Sequence, residues 1–166
     1  SRLTLCVSTQ VGCALGCKFC ASGLDGLKRN LSTGEILGQI ILAGKQAGKR
    51  IDNLVFMGMG EPFLNYKNTV FAARMLNDSD GINLGAARIT ISTAGIIDKI
   101  KKFTNEKHPF RLAVSLNGSN HDQRLKIMPI TKNQSFQNLL EAIKTYTNQS
   151  RKRITIEYVL IEGINN

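Results

Sequence analysis

Leu3-Thr-Leu-Cys-Val-Ser-Thr-Gln-Val-Gly-Cys-Ala-Leu-Gly-Cys-Lys-Phe-Cys20 places an apolar–polar alternation directly before a loop of three cysteines. Residues 3–9 read as a strand, because strand side chains alternate between two faces. Cys13, Cys17 and Cys20 follow in a C-x3-C-x2-C spacing. A cubane iron–sulfur cluster normally takes four cysteine ligands. Three thiolates at this spacing can bind three irons and leave the fourth iron open.

Two other readings stand beside that one. A structural zinc site closes its tetrahedron with a fourth Cys or His, and the two histidines, His108 and His121, lie far down the chain. A disulfide framework suits small secreted domains, whereas this chain is long enough for a core and groups its four cysteines between Cys6 and Cys20. An open iron beside a reductant is the arrangement that chelates and splits S-adenosylmethionine. That chemistry belongs to the cofactor, and the protein holds and aims it.

Beyond the cysteine loop the chain alternates strand and helix. Ser32-Thr33-Gly34-Glu35 is a capping box, and it opens a helix with Ile36, Leu37, Ile40, Ile41 and Ala47 on one face and Gly48 as C-cap. Residues 53–57 form a short apolar strand that runs into the loop Gly58-Met59-Gly60-Glu61-Pro62. A helix near 67–77 turns Val70, Phe71, Met75 and Leu76 inward. A strand at 88–92, a short helix marked by Ile96, Ile97, Ile100 and Phe103, and a strand at 111–116 come next. A long loop from Asn117 to Gln134 leads to a helix with Phe136, Leu139, Leu140, Ile143 and Tyr146, then a strand over 153–161.

This alternation implies right-handed crossovers and parallel pairing. The fold class is therefore α/β, an open or partial (βα) barrel of about five parallel strands with outer helices. A doubly wound sheet is the rival. The polar and glycine motifs (the cysteine loop, Gly60-Glu61-Pro62, Ser92-Thr93 and Ser115-Leu116-Asn117) all fall at strand ends. In parallel α/β folds that rim is the active face.

Composition bounds the rest. The chain has 166 residues, 42% of them hydrophobic, enough for one globular domain with a core. It has no signal-peptide pattern and no apolar run of membrane-spanning length. The grouped cysteines suit a reducing compartment, hence the cytoplasm. The formal charge is +10, from 22 basic and 12 acidic residues, which favours a polyanion such as ribosomal or transfer RNA. Asp122 and Arg124 read as a surface pair, His108 and His121 as ordinary loop residues, Phe19 as packing against or shielding a cofactor, and Met57, Met59 and Met128 as core filler. Both ends, at Ser1-Arg2-Leu3 and Gly163-Ile-Asn-Asn166, look cut, so residues 1–166 read as the central piece of a longer protein.

The segments Arg2–Cys20, Lys28–Leu31, Phe56–Pro62, Ile91–Gly95, Ala113–Leu116 and Met128–Ile130 together resemble the radical S-adenosylmethionine superfamily, and within it the RlmN-type RNA adenine-C2 methyltransferases. The sister Cfr-type enzymes act at adenine C8, and Pro62 favours the C2 branch. The resemblance implies a [4Fe-4S] cluster on Cys13, Cys17 and Cys20, and S-adenosylmethionine held by Gly60 and Glu61 at its methionine amino group. Ser92 would meet its methionyl or ribose groups, and Ser115, Leu116 and Asn117 its nucleoside. It gives Cys6 the role of a thiol that helps release the methylated base through a transient disulfide. It further implies an electron donor, a monomer, and a second, methyl-carrying cysteine near the C-terminus of the family. No cysteine follows Cys20 here. Residues 1–166 alone are then expected to bind the cofactors without methylating RNA. The family's amino-terminal RNA-binding part, an acidic residue near it and a late cofactor-touching asparagine are also outside this chain. Another radical S-adenosylmethionine enzyme, or a zinc-bound basic RNA-binding module without redox chemistry, are the competing functions.

Overall fold

The computed structural model describes residues 2–166; Ser1, part of the expected opening strand, lies outside the described residues. Five strands form one parallel sheet in the order β1 (Thr4–Cys6), β4 (Asn53–Phe56), β5 (Ile89–Thr93), β6 (Arg111–Ser115) and β7 (Thr155–Glu157). Between them run α1 (Thr33–Ala47), α2 (Tyr66–Asn77), α3 (Ile97–Asn105) and α5 (Phe136–Ser150). This is the open, partial barrel that the strand–helix alternation predicts.

Register divides the sheet into two faces. Leu54, Phe56, Ile89, Ile91, Leu112 and Val114 are fully buried toward the helices, where Ile36, Ile40, Leu76, Ile100, Phe103, Leu139 and Tyr146 meet them. The alternate residues face the concave side. Cys6 pairs with Val55, Val55 with Thr90, and Thr90 with Arg111, so these four form one layer of that face. The next layer, nearer the C-terminal rim, holds Ser92 beside Ala113. Ser115 and Glu157, register partners, lie above it.

The helix ends follow the sequence chemistry. At α1 the Ser32 hydroxyl accepts the Glu35 amide at 3.2 Å, and the Glu35 carboxylate accepts the Ser32 amide at 2.9 Å. Gly48 closes the helix in the left-handed region at φ 63°.

Several expectations are corrected. The first strand does not run through residues 3–9: β1 stops at Cys6, and Gln10–Gly12 form β2, an antiparallel partner of β3 (Leu27–Asn30). Beyond Val7 the chain leaves the ladder: the Ser8 amide donates to Gln39 Oε1 at 2.9 Å, and Met59 O takes the amides of Thr9 and Gln10. The loop 117–134 contains a helix, α4 (His121–Ile127), whose Asn120 cap accepts the Gln123 amide at 2.9 Å. It is too short to show helical periodicity. The last strand spans only Thr155–Glu157, because Asn165 captures the chain beyond it, donating to Val159 O at 2.8 Å and accepting from the Ile161 amide at 2.7 Å. Ile41, Phe71 and Met75 are exposed rather than inward, as the buried stripes of α1 and α2 are narrower than the apolar pattern.

Candidate functional site

The cleft lies at the C-terminal rim of the sheet. Its walls are Cys13, Leu15, Cys17, Phe19 and Cys20 from the cysteine loop, and Gly60, Glu61 and Pro62 from the loop after β4. Ser92, Thr93, Ala94, Ser115, Met128 and Glu157 complete it. Three of the motifs read from sequence thus share one cavity.

The cysteine loop is framed by the β2–β3 hairpin, in which the Cys13 amide donates to Gly26 O at 3.2 Å. Gly12 must be glycine: its φ is +77°, and a Cβ would sit 1.9 Å from Gly26 O. The loop is pinned across the cleft by the Lys18 amide, which donates to Ile127 O at 2.9 Å. All four cysteines are free thiols. No disulfide is present among the described residues, so the structure lends no support to the one implied for Cys6. Burial pushes the Cys17 thiol up to about 11, and Cys13 and Cys20 push the same way. Among the described residues, no three His, Cys, Asp or Glu side chains gather around one point as a lone ion requires.

The loop after β4 is welded to the chain leaving β1. Met59 O accepts the amides of Thr9 and Gln10 at 2.9 and 3.2 Å, and Gln10 Oε1 accepts the Glu61 amide at 2.8 Å. Gly60 has φ +102°, and a Cβ there would lie 2.5 Å from the Gln10 Cβ. Glu61 is almost fully buried. Its Oε1 accepts the Phe63 amide at 2.9 Å and its Oε2 the Ala94 amide at 2.7 Å. Burial pushes its carboxyl up to about 7 against the pull of those amides.

Ser92 and Ser115 share a partner that the sequence reading missed. Both hydroxyls donate to Glu157 Oε2, at 2.8 and 2.7 Å. The available signal was the alternation of Arg153, Thr155 and Glu157 with Ile154 and Ile156, which puts the carboxylate on the polar face of the last strand. Leu116 and Asn117 stand outside the cleft lining. Leu116 packs on the core, and its carbonyl accepts from Arg124 at 2.5 Å. Asn117, at φ +52°, accepts the Val159 amide at 2.9 Å through its side chain and Asn165 Nδ2 at 3.0 Å through its carbonyl. Cys6 is exposed on the concave face, one layer below Ser92.

Arg124 is not in a surface pair with Asp122. It is fully buried, and among the described residues it takes part in no ion pair. His108 is likewise buried, tilted against Phe103, stacked on Phe110 and bonded to Glu106 Oε2 at 2.7 Å. Met128 is buried as expected but also lines the cleft. A buried guanidinium answered only by neutral groups, beside a loop of three thiols, fits an anionic thiolate-bound cluster on that loop.

Among the described residues, no helix is long and apolar enough to cross a membrane. The pattern of the Radical SAM superfamily matches residues 7–166. The chain is 51% identical over its whole length to a "Probable dual-specificity RNA methyltransferase RlmN" of Dictyoglomus thermophilum, covering 49% of that protein. It is 49% identical over 99% of its length to the protein of the same name from Thermotoga neapolitana, covering 48% of it. It therefore spans about half the length of the curated relatives it matches. The crystal structure of a radical SAM methyltransferase from Sphaerobacter thermophilus superposes with a TM-score of 0.94 at 44% identity, covering 99% of this chain and 49% of that one. A more distant structure, anSMEcpe with bound AdoMet, shares the fold at a TM-score of 0.59 and 18% identity, over 94% of this chain and 43% of that one. Sequence pattern, sheet order and rim geometry agree, and the chain belongs to the radical S-adenosylmethionine superfamily.

Proposed function

We propose that this chain is the catalytic core of an RNA methyltransferase acting at adenine C2, with ribosomal RNA and also transfer RNA as substrates. The observation that carries this reading is the convergence of three thiols, the Gly60–Pro62 loop and the Ser92–Ser115–Glu157 group on one cleft, joined to relatives whose names read dual-specificity RNA methyltransferase. The Pro62 of this loop favours C2 over the C8 position of Cfr-type enzymes.

Cys13, Cys17 and Cys20 would hold a [4Fe-4S] cluster through three thiolates. When bound, the cluster and S-adenosylmethionine supply one-electron cleavage of a sulfonium and hence radical chemistry at carbon. The chain's own residues bind and aim. Gly60 lets the backbone approach closely, because no Cβ fits against Gln10. Glu61, already holding two backbone amides, offers its remaining lone pairs to an ammonium group. Ser92 and Ser115 give their protons to Glu157, so toward a ligand they present oxygen lone pairs, suited to hydroxyl or ammonium donors. Leu116 and Asn117 shape the rim through the backbone rather than through side chains in the cleft. Cys6, on the concave face, supplies the thiol for product release.

An electron donor, a monomeric state and a cytoplasmic location belong to the same proposal, and the charge of +10 supports a polyanionic partner. Residues 1–166 alone bind cofactor without methylating RNA, because the second thiol of the two-cysteine chemistry has no counterpart after Cys20.

The test is anaerobic reconstitution with iron and sulfide. Expected are four irons and four sulfides per full-length chain, lost on replacing any of the three loop cysteines. In the full-length protein a methyl group should then appear at C2 of an adenine. One tightly held zinc and no sulfide overturns the reading, and methylation at C8 moves the protein to the other branch.

A further inference from the structure

Arg124 is a buried cation with no carboxylate to answer it. Its Nη1 donates to Ser115 O at 2.6 Å and Leu116 O at 2.5 Å, and its Nη2 donates to Ala94 O. Nη1 also faces Met128 Sδ at 3.2 Å, while Nε has no partner. These carbonyls satisfy donors but carry no net charge. Taking an ion out of water costs several kcal/mol even after relaxation, so such charges are normally paired.

The site is built to keep the guanidinium there. A Cβ on Gly118 would lie 2.7 Å from the Arg124 amide nitrogen, and one on Gly95 would lie 3.2 Å from Nη2. The carbonyls come from the ends of β5 and β6, the rim that forms the cleft. Cys17 packs against the apolar cluster formed by Ala94, Ile127 and Met128. Two members of that cluster, Ala94 and Met128, also meet the guanidinium. The guanidinium and the Cys17 thiol each favour the charged form of the other.

We infer that Arg124 sets the reduction potential of the cluster held by Cys13, Cys17 and Cys20, acting as a fixed positive charge behind Cys17. This rests on the cluster reading above. Reduction adds one electron from an external reductant and transfers no atom, so the reduced cluster is more negative by one charge. A buried cation stabilises that state, and cluster potentials respond to local charge. Arg suits the task because it keeps its charge over all working pH. Arg124 is then a positioning residue that touches neither S-adenosylmethionine nor RNA.

The experiment is a dithionite titration of the reconstituted full-length protein, followed by electron paramagnetic resonance. Arg124→Met and Arg124→Gln remove the charge, and Arg124→Lys keeps it. The charge-free variants should be harder to reduce by about tenfold, a shift of about 59 mV to lower potential for one electron. Arg124→Lys should stay near wild type even where its melting temperature falls. A folded charge-free variant with full iron content and an unchanged midpoint overturns the inference and leaves Arg124 as a structural tie. If neither charge-free variant folds, Arg124→Lys decides: an unchanged midpoint supports the role of charge, and a tenfold loss overturns it. A wild-type protein that assembles no cluster is a different result, and it overturns the cluster reading itself.

Discussion

Glu157 accepts the Ser92 hydroxyl at 2.8 Å across 65 residues of chain, and the same oxygen takes Ser115 at 2.7 Å. One carboxylate on the edge strand thereby fixes the two hydroxyls that face the cleft from β5 and β6. Strand ends in a parallel sheet have no ladder partner above them, so a side-chain clamp is what sets their rotamers.

Glu157→Ala should release both hydroxyls while leaving the core untouched, since Glu157 is only half-buried. Losing two charge-assisted hydrogen bonds, part of whose energy the freed hydroxyls recover, should weaken S-adenosylmethionine binding about tenfold, or about 1.4 kcal/mol. Calorimetry on the reconstituted protein checks this. Unchanged affinity would show that the serines need no clamp.

Cys6→Ala should leave iron content and S-adenosylmethionine affinity as in wild type. Cys6 is exposed on the concave face and stands apart from the cleft lining. In the full-length protein it should nonetheless abolish turnover on RNA. Iron lost from this variant would mean four-cysteine ligation and a closed, electron-transfer site.

Gly118→Ala should destabilise the fold through Arg124. The added methyl would lie 2.7 Å from a backbone nitrogen, which cannot rotate away. Overpacking of this kind costs about 1–3 kcal/mol, or about 2–4 °C of melting temperature per kcal/mol in a domain of this size. A thermal melt that matches wild type would refute the close approach.

Stability should fall as the solution is acidified, and His108 should account for the first part of the fall. Burial holds its pKa below the ordinary value of 6.5. The unfolded chain then takes up a proton that the folded one refuses, so stability present above pH 6.5 is lost as pH falls through the folded value. Glu106, held below its ordinary 4.5, adds a loss in the same direction at lower pH; the hydrogen bonds from Tyr66 and His108 favour its charged form against burial. His108→Gln keeps a donor toward Glu106 but does not titrate, so it should flatten the fall of melting temperature just below pH 6.5. A slope equal to wild type would place the titrating group elsewhere.

Much of the fold was legible because local chemistry and tertiary structure agree. The Ser32–Glu35 capping box and Gly48 bracket α1 as their types require. Ile97, Ile100 and Phe103 are buried where their spacing puts them. Arg124 was misread because Asp122-Gln-Arg124 is a polar run on a short helix, and nothing local reveals that a rim of carbonyls closes over it. Leu116 and Asn117 were expected at the ligand. Their carbonyls go instead to Arg124 and Asn165, partners at 8 and 48 residues' separation. The hairpin that frames the cysteines escaped notice because β3, Leu27–Asn30, is wholly exposed and so shows no alternation.

By itself the sequence determined the order of the five sheet strands and the four helices between them, the parallel sheet and the thiol spacing, since each follows from residues a few positions apart. Only the tertiary structure decided which polar groups meet. Glu157 reaches Ser92, Glu61 reaches Ala94, and Arg124 reaches the carbonyl of Ala94 because strand register and burial, sums over contacts distant in the chain, bring those groups together. No window of sequence contains that sum.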